Sequence, residues 1–272
     1  MNARLVEKYR ALRRRLAEFT RIAVAFSGGV DSSLLLWVAK DETPGGVVAF
    51  VADSVFLPDA ERAAAQTFAR ELRADARFVP FDPLSLPDLR SNRPERCYIC
   101  KKELMTRLLG EAKKERCDVL LDGTNVDDLS DDRPGLRAIR ELGILSPLAE
   151  AGLTKRDVRG LSRDLGLSGY DRPALSCLAT RFPTGVELTE KALRRIDAGE
   201  TLLRSPGFAS LRVRDLDGVA VIELGEAELE AANILFARRE AIRAAFLDLG
   251  FSRVAVDLGG YRRGSMNTAA RD

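Results

Sequence analysis

A chain of 272 residues, 46% of them hydrophobic, can bury one large core or a medium and a small one, and its 43 basic and 41 acidic residues nearly cancel at net +2, so composition supplies no global drive toward nucleic acid or a membrane surface. It contains no histidine, which excludes serine–histidine hydrolysis, histidine-ligated zinc and imidazole acid–base catalysis and leaves carboxylates, lysines and thiols for any chemistry. Four cysteines without a repeated framework, behind an N-terminus that lacks an apolar signal core, are expected as reduced thiols in the cytoplasm, and no stretch is long and apolar enough for a membrane span.

In chain order, Leu5, Tyr9, Leu12, Leu16 and Phe19 share one face of an amphipathic helix. The stretch Arg21 to Lys40, RIAVAFSGGVDSSLLLWVAK, reads as a buried parallel strand, a glycine turn and a helix. Two adjacent glycines, Gly28 and Gly29, let backbone approach an anion, and the helix start offers unpaired N–H groups and the positive end of its dipole. Asp31 repels phosphate directly and is assigned to Mg²⁺ brought by a triphosphate. The bland alternative is a turn that only packs a helix on a sheet. No lysine follows the second glycine and no GxGxxG is present, which excludes two commoner nucleotide loops. The turn Ser27, Gly28, Gly29, Val30, Asp31, Ser32, Ser33 instead resembles the SGGxDS loop of the PP-loop ATP pyrophosphatases. That likeness implies ATP binding, pyrophosphate release and transfer of AMP to an acceptor oxygen.

A second strand, Val47 to Ser54, places Asp53 and Ser54 at the carboxyl rim of the sheet as adenosine or Mg²⁺ candidates. A helix from Pro58 to Leu72, a strand at 76–82, a loop at 83–92 and a long helix to about Arg116 containing RCYICKKEL follow. A fourth strand, 117–125, ends in Gly123, Thr124 and Asn125; in PP-loop families the corresponding turn contacts adenosine. Residues 126–137 are acidic and polar and suit a lid loop, 143–147 a last strand, and Thr154 with Asp157 a capping box opening a helix to Leu167. This rhythm implies an α/β domain over residues 1–168, and the PP-loop resemblance implies that it is an adenine nucleotide alpha hydrolase-like parallel sheet with helices on both faces.

Residues 169–188 form a linker loop carrying Cys177. From 189 to 272 the pattern is helix, strand (211–214), an Asp217–Gly218 turn, strand (219–224), one helix (226–249) and strand (253–258), a small α+β domain for substrate or oligomer contacts. Arg212 and Arg214 share a strand face, either a solvated face or a phosphate site. Cys97 and Cys100, three apart on a helix, read as a packing pair, a redox motif or metal ligands, and Cys117 at a strand start as packing.

SGGVDSS at 27–33, RCYICKKEL at 96–104, CLATR at 177–181, RVR at 212–214 and GYRRGSMN at 260–267 together resemble the LarE family of sulfur-inserting enzymes over nearly the whole chain. The family pattern reads CLASR where this chain has CLATR, so Thr180 keeps the hydroxyl. The resemblance implies ATP-dependent sulfur transfer to the carboxylates of pyridinium-3,5-biscarboxylic acid mononucleotide for a nickel-pincer cofactor, with Ser27 to Ser33 on pyrophosphate and Arg181, Arg212 and Arg214 on the substrate phosphate. It implies one of two sulfur sources: Cys177 itself, ending as dehydroalanine, or a 4Fe-4S cluster held by Cys97, Cys100 and Cys177. It also implies a homo-oligomer, with a hexamer as one candidate state, acting on a small mononucleotide. Rival readings are a tRNA thiolase, which the small net charge and lack of an RNA domain disfavour, a non-sulfur ligase or amidotransferase, and a silent AMP-binding sensor.

Overall fold

A computed structural model describes residues 2–129, 134–172, 176–204, 208, 210–262 and 266. They fall into two units, one comprising Met1–Ser54, Asp59–Phe81 and Cys97–Ala174, the other Val55–Pro58, Asp82–Arg96 and Leu175–Asp272.

The first unit is built on four parallel strands, β1 (Ile22–Ala25), β2 (Val47–Asp53), β3 (Asp75–Pro80) and β4 (Val119–Leu121), in the order β3-β2-β1-β4. Ile22 is in register with both Val47 and Val119. The two innermost strands are apolar without alternation because both faces are covered. On one face Ala23, Val48, Phe50 and Val79 pack with Met105, Leu108 and Ala112 of helix Arg96–Lys114 and with Ile139 and Ile144. Helix Val30–Glu42 buries Leu34, Leu35, Leu36 and Val38, so it is a core element rather than an amphipathic one. The order of the strands reverses at β1, which has β2 on one side and β4 on the other. Such a switch point opens a crevice at the carboxyl ends of the strands.

The second unit carries a three-stranded sheet, β5 (Leu211–Leu216), β6 (Val219–Leu224) and β7 (Arg253–Val256), with β5–β6 antiparallel and β6–β7 parallel. Asp217 (φ 52°) and Gly218 (φ 79°) both sit in the left-handed region that a two-residue hairpin turn demands. Helix Glu190–Arg204 packs on β5, and at Gly199 an added Cβ would lie 3.1 Å from the Phe246 ring, so glycine sets how closely helix Arg239–Asp248 approaches.

Several expectations change. Segments 55–58 and 82–96, read as part of the first domain, group with the second unit. There the Leu178 N–H donates to Phe56 O at 3.0 Å, Asn92 Nδ2 to Pro183 O at 2.7 Å and the Leu188 N–H to Arg90 O at 2.7 Å. Long-range bonds of this kind leave no periodic trace in sequence. The single helix expected over 226–249 is three, Glu226–Leu229, Asn233–Ala237 and Arg239–Asp248, the last two parted where Arg238 leaves helical geometry (φ −107°, ψ 12°), and no glycine or proline marks either break. The strand at 143–147 shrinks to one bridge, Leu121 to Leu145, because Pro147 opens a short helix at once. The acidic stretch 126–137 is helical at Val126–Leu129 and from Pro134 onward, its first turn nucleated by Asn125, whose Oδ1 accepts from the Asp127 N–H at 2.9 Å. Residues 130–133 of that stretch, 173–175 of the linker and most of the 263–272 tail lie outside the described residues.

Thr154 caps helix Lys155–Asp164, accepting from the Asp157 N–H at 3.2 Å while Asp157 Oδ2 accepts from the Thr154 N–H at 3.1 Å. Thr154→Ala is expected to cost about 1 kcal/mol and to lower the melting temperature by roughly 2–4 °C, read by thermal unfolding; an unchanged midpoint would show that the cap contributes nothing here.

Candidate active site

The turn after β1 is made by residue type. Gly28 has φ +78°, and a Cβ there would stand 2.9 Å from the backbone nitrogen of Ala65. Gly29 is the N-cap of helix Val30–Glu42 and, having no side chain, supplies no cap hydrogen bond, which leaves first-turn N–H groups for an outside anion. Hydroxyls brace the turn from within: Ser32 Oγ donates to Gly29 O at 3.1 Å and accepts from the Ser27 N–H at 3.3 Å, and the Gly29 N–H reaches Ser27 Oγ at 3.3 Å. The Ser33 N–H closes the first helical bond onto Gly29 O at 3.0 Å, and Val30 and Ser33 are buried against the body of the unit.

Across the switch point stands the turn after β4. A Cβ at Gly123 would lie 2.9 Å from the Ser32 nitrogen, so the two turns touch along backbone. Asn125 Nδ2 donates to Asp31 Oδ1 at 3.1 Å, and the Lys155 ammonium is paired with Asp31 Oδ2. Asp122, 4% exposed, accepts from the Thr124 N–H at 3.2 Å, from Thr124 Oγ1 at 2.7 Å and from Ser146 Oγ at 2.7 Å, with Lys101 Nζ at 3.9 Å. Asp53 ends β2 at the same rim and is paired with Arg62; Ser54 follows it, half-buried. The structure thus brings Ser27 to Ser33, Gly123, Thr124 and Asn125 together. It adds Lys155, Asp122 and Lys101, which the sequence reading missed. Asp122 could have been found by the rule that picked Asp53, since it too ends a strand at the carboxyl rim. Lys155 follows a recognised cap, but nothing in sequence says that its side chain reaches Asp31, 124 positions away.

Cys97 is exposed and Cys100 half-buried, one turn apart at the start of helix Arg96–Lys114, whereas Cys117 packs beside the sheet core, and burial, against the opposing pull of Arg21, pushes its thiol up. Within each unit, among the described residues, no three cysteine or carboxylate side chains are gathered as a metal-ligand group.

In the second unit Cys177 precedes a short 3-10 turn, Leu178–Arg181, and is half-buried. The loop is pinned by Arg181, wholly inaccessible, whose NH1 donates to Ser176 O at 2.9 Å, Ser176 Oγ at 2.7 Å, Thr180 Oγ1 at 2.9 Å and Cys177 O at 3.2 Å. Its Nε and NH2 form a bidentate pair with Glu200 at 2.8 and 3.0 Å, and Arg204 joins the same carboxylate at 2.7 Å. Arg214 pairs with Glu223 at 2.7 Å and donates to Thr180 O at 2.8 Å, while Arg212 NH1 donates to Leu211 O at 2.7 Å. Both guanidiniums lie beside the Tyr261 ring, at 4.7 and 5.7 Å. Arg212 and Arg214 are therefore on a buried face, 5% and 3% exposed, not a solvated one. Burial, and after it the Arg181 charge, pull the Arg212 guanidinium below its ordinary value. Burial alone would raise Glu200, but its arginine partners, Arg181 first, outweigh it and hold the carboxyl below the usual range.

Parallel strands, a bare glycine turn at the switch point and a facing β4 turn define the ATP-utilising domain of the PP-loop class, and residues 8–131 match the asparagine synthase family. Beyond that domain the chain is 38% identical over 266 residues, 97% of its own length and 95% of the relative's, to the pyridinium-3,5-bisthiocarboxylic acid mononucleotide synthase of Lactiplantibacillus plantarum. It is 37% identical to an uncharacterized protein of Synechocystis, over 97% of this chain and 98% of that one, and 34% identical to an uncharacterized protein of Methanocaldococcus jannaschii, over 89% and 91%. The chain belongs to the LarE family. No described helix is long and apolar enough to cross a membrane.

Gly28→Ala forces a Cβ into backbone at a positive φ, and is expected to cost more than about 1 kcal/mol and to abolish ATP binding measured by calorimetry; retained affinity would remove the turn from the site. Glu200 is held below its unfolded value, so its stabilising effect is fully present above the ordinary glutamate range and fades as pH falls through the folded value. Glu200→Gln should therefore lose about 3–5 kcal/mol near neutrality, where Arg181 is left buried without a counter-charge, and show a flatter loss of stability on acidification than wild type in denaturant titrations across the acid range.

Proposed function

We propose that this protein transfers sulfur to the carboxylates of pyridinium-3,5-biscarboxylic acid mononucleotide, with ATP as the activating reagent, so that its product is the bisthiocarboxylate. The observation that carries this reading is the Ser27–Ser33 turn, where Gly29 caps helix Val30–Glu42 without a side-chain hydrogen bond and so leaves first-turn N–H groups for an anion, with the Asp31 carboxylate at its rim, in a chain so similar throughout to a synthase of that product. Ser27, Gly28, Gly29, Val30, Ser32 and Ser33 bind the pyrophosphate portion, and Asp53, Ser54, Gly123, Thr124 and Asn125 line the adenosine side. Asp31 suits Mg²⁺, which is held through one or two carboxylates together with substrate phosphates. Arg212 and Arg214 take the substrate phosphate in a cluster where four guanidiniums (Arg181, Arg204, Arg212, Arg214) meet two carboxylates (Glu200, Glu223), and Arg181 braces them through the Cys177 loop.

The chemistry runs in two stages. A substrate carboxylate oxygen attacks the α-phosphorus of ATP, the bond to pyrophosphate breaks, and an acyl adenylate forms. A sulfur nucleophile then adds to the acyl carbon, and AMP departs with the electron pair of the broken C–O bond. If the sulfur is that of Cys177, loss of the Cα proton and cleavage of Cβ–Sγ release the thiocarboxylate and leave dehydroalanine. The exposed Cys97, with Cys100 half-buried one turn away, favours the other source, since a core packing pair would have both thiols buried. Cys97, Cys100 and Cys177 would be the thiolates that hold a 4Fe-4S cluster, which would supply sulfide for donation.

Pyrophosphate release that depends on the dicarboxylate, in protein purified without oxygen, tests the first stage. Cys177→Ser is expected to keep adenylation and to lose thiocarboxylate formation by a factor of about 100 or more. Iron and sulfide analysis with intact mass after turnover separates the sulfur sources: bound iron supports the cluster, loss of one H₂S at residue 177 the sacrificial cysteine. Full thiolation by Cys177→Ser, or pyrophosphate release indifferent to the dicarboxylate, would overturn the assignment in favour of a non-sulfur ligase or another acceptor.

A further inference from the structure

The loop from Cys177 to Gly185 has one short 3-10 turn, Leu178–Arg181, as its only helical piece and contains no strand, so backbone ladders do not decide where the thiol stands. Side chains from other elements do. On one side Arg181 ties the loop to Glu200 of helix Glu190–Arg204. On the other, two residues of segment 82–96 take hold of it, and none of the chemistry assigned above uses either. Asn92 is fully buried with φ 51°, in the left-handed region where asparagine is among the few non-glycine residues that settle. Its backbone and its side chain serve the same loop: Asn92 O accepts from the Gly185 N–H at 2.9 Å, and Nδ2 donates to Pro183 O at 2.7 Å. Arg96, also buried, orients that amide. Its NH1 donates both to Asn92 Oδ1 and to Ala179 O, the latter at 3.3 Å. With Oδ1 facing a guanidinium, which can only donate, Nδ2 is the end left to face Pro183. One buried cation thus fixes Ala179 directly and Pro183 through its neighbour.

We propose that Asn92 and Arg96 are positioning residues for sulfur transfer. They hold the stretch after Cys177 at three points, Ala179, Pro183 and Gly185, so that the thiol is presented in one place instead of swinging about the Arg181–Glu200 anchor. A single anchor leaves a loop free to turn about it; anchors on both sides do not. The inference deepens the reading given above and rests on Cys177 taking part in sulfur delivery. Buried polar networks also hold a fold together, and that role alone lowers both stages of the reaction in step with the folded fraction. Positioning lowers the second stage and leaves the first, because the Ser27–Ser33 turn belongs to the other unit and touches neither residue.

Three substitutions in the full-length protein, purified without oxygen, separate the two roles. Asn92→Gly keeps the left-handed backbone without strain and deletes both side-chain bonds. Arg96→Met keeps the stem and deletes the donors, and Arg96→Lys keeps a charged donor. The first-turnover rate of pyrophosphate release is expected within about twofold of wild type in all three, with the half-saturating dicarboxylate concentration unchanged. Thiocarboxylate formation at saturating dicarboxylate is expected to fall about tenfold or more in Asn92→Gly and Arg96→Met, and less than about threefold in Arg96→Lys. As a control, Ile242→Val trims a buried side chain of helix Arg239–Asp248 and should leave the ratio of the two stages where it is in wild type. If both stages fall by one factor in Asn92→Gly and Arg96→Met, or neither falls, while Cys177→Ser has lost thiolation alone, the two residues only hold the fold, and the proposal fails with the role of Cys177 intact. If Cys177→Ser thiolates fully, the sulfur assignment falls first and the proposal with it. Should Arg96→Met not fold, Asn92→Gly decides alone by the same ratio.

Discussion

The contact on which the first unit depends is the meeting of two backbone turns across the centre of its sheet. Gly123 lies against the Ser32 nitrogen with no room for a Cβ, and Asn125 reaches over to Asp31. Everything else at the rim is held relative to that seam. β1 and β4 must be neighbours for it to exist, which the β3-β2-β1-β4 order ensures, and the helix that follows β1 must begin at once, which Gly28 and Gly29 permit. Because the contact is backbone on backbone, its precision comes from the sheet rather than from any rotamer.

The second unit solves a different problem, that of keeping arginines out of water. Arg181 is wholly inaccessible and tied to Glu200 by a bidentate pair, Arg214 is tied to Glu223, and Tyr261 lays its ring beside Arg212 and Arg214. A buried guanidinium without such partners would be costly, so the carboxylates are a condition of folding as much as a feature of a site. Positive charge still exceeds negative among these six side chains. That excess is what supports the phosphate role proposed for Arg212 and Arg214.

Local physics made much of this architecture readable in advance. The strand, glycine turn and helix at 21–40, the capping box at Thr154 and the Asp217–Gly218 hairpin all follow from residue types acting within a few positions, and all stand as read. A period of two put Arg212 and Arg214 on one face but could not say that the face was buried. What escaped was set at long range or without punctuation. Residues 82–96 join the second unit through bonds made some ninety positions away, such as Asn92 to Pro183; the helix expected over 226–249 breaks at an arginine; and Lys155 reaches Asp31 only because two helices pack side by side.

The loop before Arg181 has a consequence for what becomes of the protein after it acts. The bonds from Arg181 hold Ser176 and Cys177 by their carbonyl oxygens and Ser176 and Thr180 by their hydroxyls. None of these acceptors is the sulfur atom. On the sacrificial route, a molecule stripped of that atom would keep the four Arg181 bonds around residue 177, and its mass would tell it from fresh protein.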